Sequence, residues 1–161
     1  MTTATTKRGR PRSAEADQAI LDAARHLLAH KGYTGTSMDA IARDAGVGKD
    51  TLYRRWKSKE DLVLHLLMVM SEEGAPVPDL DDPCYALFVF LQAVRKVNLD
   101  TELGALIAGV VGESKRNDRL ASGFQAFWEE RRKIPAALVR RIAPADTSDE
   151  EVEVMLDHIL G

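Results

Sequence analysis

Lys49, Asp50, Thr51, Tyr53, Arg54, Arg55, Lys57 and Lys59 crowd one short stretch of the chain, interrupted by the large apolar residues Leu52 and Trp56. Nothing among them pairs a nucleophile with a base or gathers metal ligands. What they can do is hydrogen-bond a polyanion. A guanidinium presents a fork of donors that matches guanine O6 and N7, an ammonium neutralises phosphate, and a carboxylate accepts from an exocyclic amine such as cytosine N4. Arg54 and Arg55 therefore read as one base reader and one phosphate clamp. Asp50, which phosphate would repel, reads as facing a base edge or pairing with a neighbouring arginine. A second cationic cluster, Lys7, Arg8, Arg10 and Arg12 around Gly9 and Pro11, has no apolar residue to bury. Residues 1–12 read as a basic flexible arm whose Arg8 and Arg10 can enter a narrow minor groove.

The charge distribution agrees. Residues 1–60 hold 12 Lys and Arg against 7 Asp and Glu, net +5, whereas residues 61–161 hold 10 against 18, net −8. A basic head on an acidic body directs the head toward nucleic acid. The single cysteine, Cys84, cannot form an internal disulfide and reads as a small buried hydrophobe in a cytoplasmic protein. The longest apolar stretches, around Leu62–Met70 and Leu103–Val111, are about half the roughly 20 residues a membrane span needs, so no membrane partner is expected.

The elements that position these residues follow from helical spacing and punctuation. Ser13 is a cap candidate, Ile20, Ala23, Ala24, Leu27 and Leu28 recur on one face, and Gly32 closes the first helix. A short second helix starts at Thr36, with Asp39 completing a capping box, or at the competing cap Ser37. Gly46 and Val47 turn the chain into a third helix from about Gly48 to Trp56, and Ser58 caps a fourth. Pro76, Pro78 and Pro83 mark a hinge. Beyond it the pattern remains helical, with Pro135 expected to interrupt one helix and Glu150 or Glu151 boxing the start of the last. The predicted fold is all-α: an N-terminal helix-turn-helix DNA-binding domain over 13–73, then a helical-bundle regulatory domain over 84–161.

Ala42, Gly46 and Leu52 stand at the relative spacing 0, +4, +10 of a helix-turn-helix. A small side chain at 42 admits the neighbouring helix, Gly46 takes the positive φ of the turn, and Leu52 plugs the pair onto the first helix. With the run Thr36-Ser37-Met38-Asp39-Ala40-Ile41-Ala42-Arg43-Asp44-Ala45-Gly46-Val47-Gly48-Lys49-Asp50-Thr51-Leu52-Tyr53-Arg54-Arg55-Trp56-Lys57-Ser58-Lys59-Glu60-Asp61-Leu62, the sequence resembles the tetracycline-repressor (TetR) family. Gly48 departs from the family's usual Ser, and Trp56 from its Phe.

The resemblance implies a regulator that binds double-stranded operator DNA, most simply a repressor released by a small-molecule effector. It implies that Thr36 or Ser37 meets phosphate, that Lys49, Thr51 and Tyr53 face the DNA, and that Lys59 reaches phosphate; Lys57 joins this cationic set. It also implies a homodimer. Family members usually carry two long helices where this sequence has one, beginning near Ser148, so a shortened chain with a weaker dimer is expected, and Val152, Met155, Leu156, Ile159 and Leu160 would form an under-partnered apolar stripe. A rival reading is a small-molecule or protein-interaction module whose head no longer binds DNA, hinted at only by Asp50 and Gly48. No enzyme is read, because no catalytic triad, phosphate loop or metal cluster is present in the sequence.

Some residues carry no assignment. His26 and His30 stand four apart without a third ligand, so no metal and no cofactor is expected. Gly104, Ala108 and Gly112 make a small-residue ridge suited to a neighbouring helix. Phe88, Phe90, Phe124, Phe127 and Trp128 fit a core as well as a pocket, and no ligand-binding residue is singled out. Deleting residues 1–12 should flatten the slope of log K for operator DNA against log salt by about one unit per lost phosphate contact, and an unchanged slope would make the arm a bystander.

Overall fold

The structure is a computed structural model that describes residues 12–160, and all regular elements among them are α-helices. These are α1 (Arg12–Gly35), α2 (Met38–Asp44), α3 (Lys49–Arg55), α4 (Lys59–Gly74), α5 (Pro83–Asp100), α6 (Glu102–Ser114), α7 (Asp118–Ile142) and α8 (Asp149–Leu160). Arg8 and Arg10 lie outside the described residues. Two compact units divide between Leu62 and Val63, not at the expected hinge near residue 74. The reason is packing: beyond its first turn α4 belongs with the body, where an added Cβ at Gly123 would strike Leu64, and Arg131 of α7 donates to the carbonyls of Ser71 and Ala75.

In the first unit α1 buries Ile20, Ala23, Ala24, Leu27 and Leu28, as the spacing requires. Gly32 adopts φ 67°, ψ 179°, and one further turn carries the chain to Gly35. Tyr33, which follows the expected helix end at Gly32, is buried, with its hydroxyl donating to Glu60 at 2.8 Å. Ser37 wins the competition to cap α2, accepting from the Ala40 amide at 3.2 Å. Gly46 takes φ 66° at the turn, and the Val47 amide closes it onto the Ala42 carbonyl at 3.0 Å. Gly48 caps α3 through its backbone alone.

In the second unit α7 packs against α5, α6 and α8. Asp82 caps α5 by accepting from the amides of Cys84 and Tyr85, Thr101 caps α6, and Asn117 caps α7. Ser148 and Glu151 form the box that opens α8: the Ser148 amide donates to Glu151 at 2.7 Å, and the Glu151 amide to the Ser148 hydroxyl at 3.2 Å. The Ser148 amide, and after it the Ser148 hydroxyl, which donates to the same carboxylate at 2.9 Å, hold the Glu151 carboxyl below its ordinary pKa.

Four local expectations fail here. Pro135 does not interrupt α7; it is buried inside the helix, so packing offsets the backbone bond that proline removes. Cys84 is exposed. Gly104 is required by the turn out of α5, where an added Cβ would lie 1.8 Å from the Asn98 carbonyl oxygen, while Ala108 is exposed and Gly112 faces open space, so the three make no packing ridge. The apolar stripe of α8 splits: Val152 and Leu156 are buried with Val139, and Met155, Ile159 and Leu160 are exposed.

Positions 46 and 48 separate backbone strain from space, since a Cβ at either meets nothing within 4 Å. Gly46→Ala should cost about 1 kcal/mol from its positive φ alone. Gly48→Ser should instead add a few tenths of a kcal/mol by supplying a side-chain cap. Urea unfolding of both variants checks the pair, and equal effects would contradict the assignment.

Candidate nucleic-acid interface

α2 and α3 turn their apolar residues inward. Met38, Ile41 and Ala42 are buried from α2, Leu52 is fully buried from α3, and Trp56, which ends α3, is buried beside them. Helical geometry then decides what faces outward. Lys49, Asp50, Tyr53, Arg54 and Lys57 are exposed and Thr51 is half-buried. Tyr53 shows 41% of its surface, so its ring and hydroxyl are open to a partner. Lys49 pairs with Asp39 of α2 at 2.5 Å. Both side chains are more than half exposed, so solvent screens this tie between the two helices, and a phosphate can compete for the ammonium.

Three residues expected on this face are turned elsewhere. Arg55 is only 15% exposed: it pairs with Asp17 of α1 and donates to the Thr51 carbonyl at 3.0 Å, so it fastens α3 to α1. Lys59 donates to the carbonyls of Tyr33 and Thr36 at 2.9 and 3.0 Å and lies 4.0 Å from the centre of the Tyr33 ring. There it satisfies backbone acceptors left over where α1 ends. Thr36 is buried, its hydroxyl donating to the Gly32 carbonyl at 2.8 Å, whereas the capping residue Ser37 is exposed. No sequence signal marks Asp17, Asp39 or Glu60 as a partner of Arg55, Lys49 or Tyr33, and Asp39 reads from the sequence only as a capping-box acid. Each is distant in the chain from the residue it meets.

Residues 20–66 match the family described as bacterial regulatory proteins, tetR family. Over 158 residues the chain is 28% identical to YdeS, an uncharacterized HTH-type transcriptional regulator of Bacillus subtilis (strain 168), covering 96% of this chain and 79% of that protein. The crystal structure of a TetR family transcription regulator matches with a TM-score of 0.71 at 27% identity, covering 89% of this chain and 80% of the other. The chain belongs to the TetR family. Its function follows at the same level: it is a DNA-binding transcriptional regulator. A further structural neighbour, the flavonoid-responsive regulator FrrA, is 32% identical with a TM-score of 0.56, covering 80% of this chain and 64% of that one.

The second unit of this TetR-family chain contains a cavity of about 50 Å³, walled largely by Phe90, Val97, Leu103, Ile107, Phe127 and Trp128. Asn98, Arg131 and Arg132 are the principal polar groups on its wall. Of the five aromatics left between core and pocket, Phe90, Phe127 and Trp128 line this space; Phe124 stacks on Phe127, and Phe88 is exposed. Among the described residues no helix is long and apolar enough to cross a membrane.

The two neighbouring arginines of α3 should respond differently to truncation. Arg55→Ala should lower stability by about 1 kcal/mol, a value already reduced for the exposed side of Asp17, while Arg54→Ala should leave the melting temperature unchanged. Thermal unfolding of the two variants decides between the assigned roles.

Proposed function

We propose that this regulator is a repressor that holds operator DNA through Lys49, Asp50, Thr51, Tyr53, Arg54 and Lys57, and that it is released when a small molecule occupies the second unit. The observation that carries the reading is the outward face of α3 opposite the fully buried Leu52. Such a helix presents short and long hydrogen-bonding groups together, as a major groove requires. Arg54 reads a guanine edge, Asp50 accepts from a cytosine amine, and Lys49 and Lys57 neutralise phosphates. Tyr53 supplies a flat apolar ring with a hydroxyl, and Ser37 at the start of α2 contributes a hydroxyl to a phosphate. Arg8 and Arg10 extend this grip into the neighbouring minor groove. Arg55, Lys59 and Thr36 support the face from behind.

Release by a small molecule is supported by the apolar cavity of the second unit and by the flavonoid response named for the neighbour FrrA. The regulator acts in the cytoplasm as a homodimer, so that two α3 helices meet two half-sites about one helical turn apart. An open apolar groove between α7 and α8, lined by Leu87, Val139, Ile142, Val154, Met155 and Ile159, supports self-association.

Selection of bound sequences from random DNA should return paired half-sites. On the selected operator Tyr53→Ala or Arg54→Ala should weaken binding by roughly 1 to 3 kcal/mol without unfolding the protein. Fluorescence anisotropy measures the loss, and full affinity in both variants would mean that DNA meets another face.

A further inference from the structure

We propose that the cavity of the second unit takes a small apolar carboxylate, whose anion pairs with Arg131 in competition with the carboxy-terminal carbonyls of α4. The inference rests on the effector reading and supplies its chemistry. Arg131 and Arg132 are adjacent in sequence and both reach the cavity wall, but their charges are treated differently. Arg132 donates to Glu153 and to Asp157 of α8, each at 2.8 Å, so carboxylates already answer its charge. Arg131 has no such ion pair among the described residues. Its Nη2 donates to two backbone carbonyls, Ser71 at 3.2 Å and Ala75 at 2.9 Å, and its guanidinium lies 5.9 Å from the centre of the Phe90 ring.

Carbonyl dipoles and a ring face solvate a cation without cancelling it. Burial accordingly pushes the Arg131 pKa down, with the charge of Glu72 opposing in lesser measure. The wall around this cation is apolar, so a neutral guest leaves the charge unanswered and a cationic guest is repelled. A carboxylate matches the guanidinium fork with two parallel hydrogen bonds. An aromatic or short aliphatic body then covers Phe127 and Trp128.

The space available also bears on what binding does. A cavity of about 50 Å³ is smaller than the roughly 300 Å³ at which ordinary ligand sites begin, so a guest must displace part of the wall. Ser71 and Ala75 are part of that wall and are also the groups that Arg131 holds. A carboxylate that draws the guanidinium to itself loosens the end of α4, the helix that opens with Lys59. Whatever that loosening does to operator affinity, the operator does equally to carboxylate affinity.

The test uses the full chain and calorimetric titration with benzoate, hexanoate, benzamide and benzylammonium. Benzoate should bind roughly tenfold or more tightly than benzamide, and benzylammonium should not bind. Arg131→Met should abolish the preference, and Arg131→Lys, which keeps the charge but not the fork, should retain part of it. Equal binding of benzoate and benzamide in the parent overturns the proposal without need of any variant. So does a preference that survives Arg131→Met, or the failure of both benzoate and hexanoate to bind at millimolar concentration. Operator anisotropy on the same preparation separates the two readings: benzoate binding without operator binding sinks the DNA reading alone, and the reverse sinks the carboxylate alone.

Discussion

The burial of Leu52 is the contact on which the recognition surface depends. α3 has seven residues, well below the roughly 12 at which an isolated helix begins to persist in water, so neither its helicity nor its direction can come from propensity. Leu52 is fully buried, Trp56 nearly so, and Arg55 adds a tie to Asp17 of α1. These three side chains thus converge on one inner side. Everything outward, from Lys49 to Lys57, inherits its orientation from that side. The turn before it needs a positive φ at Gly46 to bring α3 across α2.

How far this was legible in the sequence follows from how far each signal reaches. Spacing and caps act over three or four residues, which is why α1, the turn at Gly46, the Ser148–Glu151 box and the inward positions of α3 follow from the residues themselves. The roles of the cations do not. Whether an arginine faces DNA or fastens two helices depends on an acid far away in the chain, as Arg55 with Asp17 illustrates, and Lys59 is claimed by backbone carbonyls that no side-chain pattern marks. Pro135 shows the same limit from the other direction. Its local effect is to break a helix, yet burial along α7 outweighs one lost backbone bond. The cavity was equally out of reach, because Phe90 and Phe127 line it while Phe88, of identical type, is exposed.

Acidic residues on a DNA-facing surface look like a defect until specific and non-specific binding are separated. Lys49 is already paired with Asp39, so a phosphate that takes its ammonium must displace a carboxylate, and the net gain is smaller than for an unpaired lysine. Asp50 opposes every phosphate equally and gains only where a base offers an amine. The first effect acts on any sequence alike, and only the second lowers affinity for arbitrary sequence more than for the operator. With Arg55 paired to Asp17 inside the fold, one guanidinium fewer is left for random DNA to meet. Since a genome presents far more non-operator than operator sites, occupancy of the operator depends on the ratio of the two affinities. In the proposed reading Asp50, which hinders phosphate everywhere and accepts only from a base amine, raises that ratio at some cost in absolute affinity.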